Sequence, residues 1–551
     1  MTPLRSNRRS AAGFSLVIVL VMTGAAFLIL TGVLLWSSHS GKFSQRTSEY
    51  RGTLAAAEAA TEKVLARMSR DFQATNGGFD LVEANLASYT ALAPNSSESS
   101  AWDGHEFASP GGVPVSVTLV SNRTWGVLNS KAFGFSASNA VYRIVANARD
   151  TASDNNIVGA VRQDIQLAEI PLFSFFAFYH PNMEFGPLNG TWNLIGPVHC
   201  NSDAYFHPEG RDIVFSNSVT ASGGLHVGET HPLNSNNDYA PPYGDTEFEG
   251  GAVSHANALL LPVGMAPTNI WAYYKGVAGL TIEVTGDNAG VVVGPAGYSR
   301  DWSEVTNFIN TTCHFVDKRQ NLYSPQETAV TEFDVAKFKL SMSALGNPKV
   351  VYIADLRPDD EDWMHAVRVV NGGELPFGGL ALATPNPLYV KGSYNLPGGG
   401  GAPPQPASFA ADAVTILSAD WDDSLAASPL SVRMATPTGN TINAAFLAGI
   451  VPNGSGSDYS GGIEGFFRLL ETWGSSVNLT INGSIVVPFY KSQIANGPWY
   501  RTGAFDIYTF PNRIFRFDPA FANPAKLPPG TPYLRTVIRS EWKAIQPGAA
   551  E

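Results

Sequence analysis

Residues 14–36 run for twenty-three positions without a charge. At 1.5 Å rise per residue this is enough helix to cross about 30 Å of hydrocarbon. The basic residues before it, Arg5, Arg8 and Arg9, keep residues 1–13 on the cytoplasmic side by the positive-inside rule and send the rest of the chain outward. The run does not end in a small-residue cleavage site, so it reads as a retained anchor. Residues 37–72 contain no proline, and Leu54, Ala57, Val64, Leu65 and Met68 recur at helical spacing while Glu58, Glu62 and Lys63 face water. One helix over 14–72 follows, roughly 90 Å long. Gly52 weakens its middle by about 1 kcal/mol, and Thr75-Asn76-Gly77-Gly78 stops it.

The period then falls to two. Residues 114–121, 142–149 and 157–167 read as strands, with Tyr142, Ile144, Ala146 and Ala148 on one face and Arg143, Asn147 and Arg149 on the other. With a short helix near 81–92, residues 73–170 form a small antiparallel head over the outer half of the long helix. Residues 171–551 form a large β-rich unit of short apolar pieces punctuated by Gly and Asn, a pattern that suggests an irregular parallel β-helix or solenoid. In such a stack Asn and Gly take the corners, where φ is positive. The spacing of the pieces is irregular, residues 231–345 read as a long excursion, and a split sandwich remains an alternative.

Composition narrows the setting. Of 551 residues only 15% are charged, while Gly (53) and Pro (37) are plentiful, which favours an extracytoplasmic β-rich protein. The net charge of −12, with no stripe of Lys or Arg, argues against nucleic-acid binding. Cys200 and Cys313 could form a disulfide outside the cytoplasm; the sequence does not show whether they meet.

The junction Gly13-Phe14-Ser15-Leu16 resembles the leader-peptidase site of type IV pilins and type II secretion pseudopilins. The resemblance implies cleavage of the basic leader 1–13 after Gly13, with Phe14 as the methylated first residue. The fifth mature position, usually Glu, is here Ile18. This departure is similar to PilX-type minor pilins and tip pseudopilins, as is the alanine-rich run Leu54-Ala-Ala-Ala-Glu-Ala-Ala. Further segments resemble large PilX-type envelope proteins: Gly196-Pro-Val-His-Cys-Asn, Ala383-Thr-Pro-Asn-Pro-Leu-Tyr-Val-Lys-Gly-Ser-Tyr-Asn and Asn443-Ala-Ala-Phe-Leu-Ala-Gly-Ile-Val-Pro. The implied partners are other pilins along the helix, a prepilin peptidase and the inner membrane, with a surface or polysaccharide ligand left open. The implied role is structural, at the tip of a pilus or secretion filament.

Chemistry-bearing residues are sparse. His199, Cys200, His207, His226 and His231 have metal-ligand character but no paired spacing; Asp359-Asp-Glu-Asp and Asp420-Trp-Asp-Asp-Ser lack the Ca²⁺-loop pattern. No metal or cofactor is expected. The alternative is a membrane-anchored β-helical enzyme or binding module on envelope polysaccharide. It would draw on carboxylates such as Asp412, Asp420 and Glu464, and on exposed aromatics Tyr394, Tyr459, Trp473, Trp499 and Tyr500. No nucleophile or phosphate-loop motif supports catalysis.

Overall fold

A computed structural model describes residues 12–74, 77–128, 135–153, 155–186, 191–208, 211–229, 232, 245–261, 270–319, 326–358, 363–398, 401–451, 462–489 and 507–547. Residues 1–11, His231, the acidic run 359–362, Tyr459, Trp499 and Tyr500 lie outside the described residues.

Helix α1 (Ala12–Gln73) is continuous through Gly52. Its second half lies on an antiparallel sheet of β1 (His105–Phe107), β2 (Val115–Val127), β3 (Ser136–Asp150), β4 (Val158–Pro171) and β5 (Tyr533–Ile545), in which β1 and β2 both pair with β3, and β4 lies between β3 and β5. Ala56, Ala57, Ala60, Val64, Met68 and Phe72 are buried against Tyr142, Ile144, Ala146, Val161, Ile165 and Leu167. These are the two faces that the 3.6- and 2-residue periods mark out. The alanines let the helix axis come close, and Gly159 takes the closest point: a Cβ there would lie 2.4 Å from the Leu54 nitrogen. Two short helices, α2 (Phe79–Ala84) and α3 (Leu86–Tyr89), stand where the sequence places one.

The sheet also contains a strand that sequence reading assigns to the second unit. β5 pairs with β4 from Tyr533↔Pro171 to Ile545↔Ala160, and the Leu172 amide donates to the Pro532 carbonyl at 2.8 Å. Residues 172–532 are therefore inserted between two neighbouring strands of the head. The periodicity of 533–545 is compatible with either sheet, and its partner is set only by where the insertion returns the chain.

Most strands of the inserted part pair in parallel register, while Leu280–Gly286 with Ala289–Val293 and Ile309–Asp317 with Gln326–Asp334 pair antiparallel. Ala177–Tyr179, Val198–Cys200 and Val219–Ala221 lie side by side, as do Met183–Phe185, Ala204–Phe206 and Leu225–Val227. Neighbours in both sets, such as the His199–Thr220 pair, are offset by 21 residues, a regular repeat that the irregular later spacing hides. Ala177–Tyr179 starts in the middle of a twelve-stranded sheet. The chain winds outward to Ala252–Val253 at one edge, crosses to Leu280–Gly286 near the other, and works back in parallel until Ile485–Val487 pairs with Ala177–Tyr179. Leu280–Gly286 belongs to this sheet, and Ile309–Asp317 and Gln326–Asp334 belong to a separate six-stranded sheet, so the stretch 231–345 is only partly an excursion. Side chains in register stack inside: Phe185 on Phe206 with centroids 5.6 Å apart, Phe215 on Phe248 at 5.4 Å. Asn371 and Asn395 take corners with φ of 55° and 57°.

Candidate functional surface: the projecting helix and its seat

Every residue of α1 from Phe14 to Arg46 is exposed, including Leu16, Leu20, Phe27, Leu28, Leu34 and Trp36. So large an unpaired apolar surface marks a membrane or a partner, and the helix is long and apolar enough to cross a bilayer. Gly13 and Phe14, the residues of the expected processing junction, lie within the first turns of α1, and Ile18 stands exposed one turn on.

The second half is clamped by the last strand of the chain. Arg539 of β5 makes two 2.7 Å bonds to the Glu62 carboxylate, one to each oxygen. Arg535 lies at the helix end, where the final carbonyls lack helical partners. It donates to the carbonyls of Phe72 (3.1 Å) and Ala74 (2.7 Å) and pairs with Glu169 at 3.0 Å. A cation here also complements the negative end of the helix dipole. In return, the Gln73 side chain donates to the Arg535 carbonyl at 2.8 Å. Asp71 receives the Tyr89 hydroxyl (2.9 Å) and the Asn85 amide (3.0 Å), tying α3 to the same helix end. Sequence reading missed Arg535 and Arg539, because nothing in 533–545 marks a helix 460 residues upstream as its partner.

The other sequence candidates are placed singly. Cys200 is buried, its thiol 3.3 Å from the carbonyls of Pro181 and Asp203, whereas Cys313 lies in a strand of a different sheet. Both are free thiols, so the disulfide left open by the sequence is not formed. His199 is held between Thr220 (2.7 Å) and Asn201 (2.8 Å), and burial pushes its pKa down to about 4. His207 bonds Glu184 at 2.7 Å, and His226 stacks on Tyr205. Among the described residues, no group of three or more His, Cys, Asp or Glu is placed to hold a metal ion.

In the second acidic run, Asp422 caps a helical turn through the Ser424 amide, and Asp423 pairs with Arg368 at 2.6 and 3.0 Å. Asp420 is exposed, Asp412 is buried and Glu464 is half-buried. Glu464 sits where the two ends of the insertion meet, accepting from the Gly186 amide at 3.3 Å; burial, and then the charge of Glu184, raise its pKa to about 7. Tyr394 and Trp473 are core residues, not the exposed binding aromatics the sequence suggests. Tyr394 packs on Phe409 with centroids 4.6 Å apart, because the pieces around it are interior-facing strands.

No family profile matches the chain, and no curated protein matches it. Among solved structures, the competence-associated pilin ComZ from Thermus thermophilus aligns at 12% identity over 90% of this chain and 98% of that one, with a TM-score of 0.27. A superposition this loose transfers neither fold nor function.

Proposed function

We propose that the protein is a pilin-like structural subunit, anchored in the inner membrane by α1 and carrying a large extracytoplasmic head. The observation that supports this reading is the division of α1: an apolar half with no burial, continuous with a half seated on an antiparallel sheet. The apolar half serves a bilayer before assembly and neighbouring helices of other pilin subunits after it. Ile18 in place of Glu points to a minor subunit at a filament tip, for assembly or adhesion. The inserted part is read as an irregular parallel β-helix on the strength of its 21-residue register. A polysaccharide-cleaving role is the weaker reading, since Asp412 is buried, Glu464 is half-buried and only Asp420 is exposed. The test is N-terminal sequencing of the mature protein together with a search for it in sheared filaments. A start at Phe14 and presence in the filaments support the reading; a different start and absence from them reject it.

A further inference from the structure

Where α1 leaves its apolar run, Lys42, Gln45, Arg46 and Glu49 follow at helical spacing on one face. They form one wall of a polar notch of about 500 Å³ whose other wall is the turn after β3: Asp150, Ala152, Ser153 and Asn155. Glu49 is already taken, by Asn155 at 2.8 and 3.1 Å and by Gln45 at 2.9 Å. Lys42, Arg46 and Asp150 are different: among the described residues none of the three is in an ion pair. The Asp150 carboxylate accepts from the Ala152 amide at 2.8 Å. Lys42 and Arg46 are like charges at i,i+4, an arrangement that costs stability unless an anion lies between them. Across the same notch stands the Asp150 carboxylate, which pairs with no cation among the described residues.

We infer that this notch seats a phospholipid headgroup bearing both charges, its phosphate on Lys42 and Arg46 and its primary ammonium on Asp150. The inference rests on α1 being a membrane anchor. Lys42 lies six residues beyond Trp36, about 9 Å along the helix axis. The polar layer of a leaflet extends roughly 5–8 Å past the hydrocarbon, and a lysine on its flexible stem snorkels down to it. The turn after β3 is also the part of the head beside this stretch of helix, as the Asn155–Glu49 bonds show. The headgroup would thus set how close the head stands to the bilayer.

The experiment is native mass spectrometry of the detergent-purified full chain, with phosphatidylethanolamine and phosphatidylcholine offered in competition. Both lipids carry the phosphate, but only the first has N–H donors for Asp150. The wild type is expected to retain phosphatidylethanolamine about fivefold over phosphatidylcholine, and D150N to lose that preference. K42Q/R46Q is expected to weaken retention of both lipids about thirtyfold, from roughly 1 kcal/mol for each basic residue. All these residues are exposed, so unchanged melting temperatures are expected for the variants. Equal retention by wild type and variants overturns the headgroup site. Failure of every form to float with vesicles overturns the anchor reading instead.

Discussion

Arg535 and Ala74 are 461 residues apart in the chain, yet the Arg535 guanidinium donates to the Ala74 carbonyl at 2.7 Å. Strand β5 thus caps the end of α1. Arg535→Ala removes the cap and leaves the Glu169 carboxylate, almost wholly buried, with Arg123 as its remaining cation at 3.2 Å. Bonds to charged groups are worth about 1.5–3 kcal/mol each when lost, so a loss of about 2–3 kcal/mol is expected in urea unfolding. Arg539→Gln, at a more exposed pair, should cost less than about 1 kcal/mol. Equal effects of the two substitutions would contradict the capping role.

Gly159 is where β4 meets α1. An added Cβ would fall 2.4 Å from the Leu54 nitrogen and 2.6 Å from the Thr53 carbonyl carbon, both backbone atoms that cannot rotate away. Gly159→Ala should therefore cost about 1–3 kcal/mol, whereas Gly52→Ala, open on all sides, should stabilise the helix by up to about 1 kcal/mol. Thermal unfolding of the two variants checks both signs.

Glu464 carries a pH dependence. Burial is the main cause of its high pKa; Glu184 adds to it, while Arg513 and His207 oppose it. Because the folded pKa, about 7, lies above the ordinary 4.5, the folded state holds its proton more tightly than the unfolded chain. The associated stability is full below the ordinary value and is lost as pH rises through about 7. Glu464→Gln keeps the shape without the titration. Its urea midpoint should gain on the wild type between pH 5.5 and pH 8; parallel midpoints would show that Glu464 does not titrate in that window.

The cysteines give a simple check on the missing cross-link. Burial pushes the Cys200 thiol up to about 12 and also raises that of Cys313. Both should label slowly with a thiol reagent in the folded protein and fully in denaturant. The melting temperature should be indifferent to reductant. A drop on reduction would mean that a disulfide does form.

The long helix and the three long strands of the head were legible because each carries a strong period over many residues: α1 from its uncharged run and the spacing from Leu54 to Met68, β3 from the alternation of Tyr142 to Arg149. The corners at Asn371 and Asn395 were legible as residue types that tolerate positive φ. The partner of β5 was not, since a strand's pattern states which face is buried and not which neighbour it pairs with. The 21-residue register was hidden because its strands span three residues each, too few for a period to stand out. Tyr394 and Trp473 misled for a related reason: Gly beside an aromatic reads as a loop, whereas Gly372 lies so near the Tyr394 ring that a Cβ would meet it at 2.2 Å.

The insertion of 172–532 between β4 and β5 has a mechanical consequence. A load between α1 and the residues after Ile545 meets the antiparallel β4–β5 ladder at its Ala160–Ile545 end. Both attachment points of the inserted part lie at the same end of that ladder, at Pro171 and Tyr533. The stacked strands therefore hang beside the line of force rather than in series with it. A pull that would reach them directly if they simply followed the head leaves them unstrained until β5 itself is torn away.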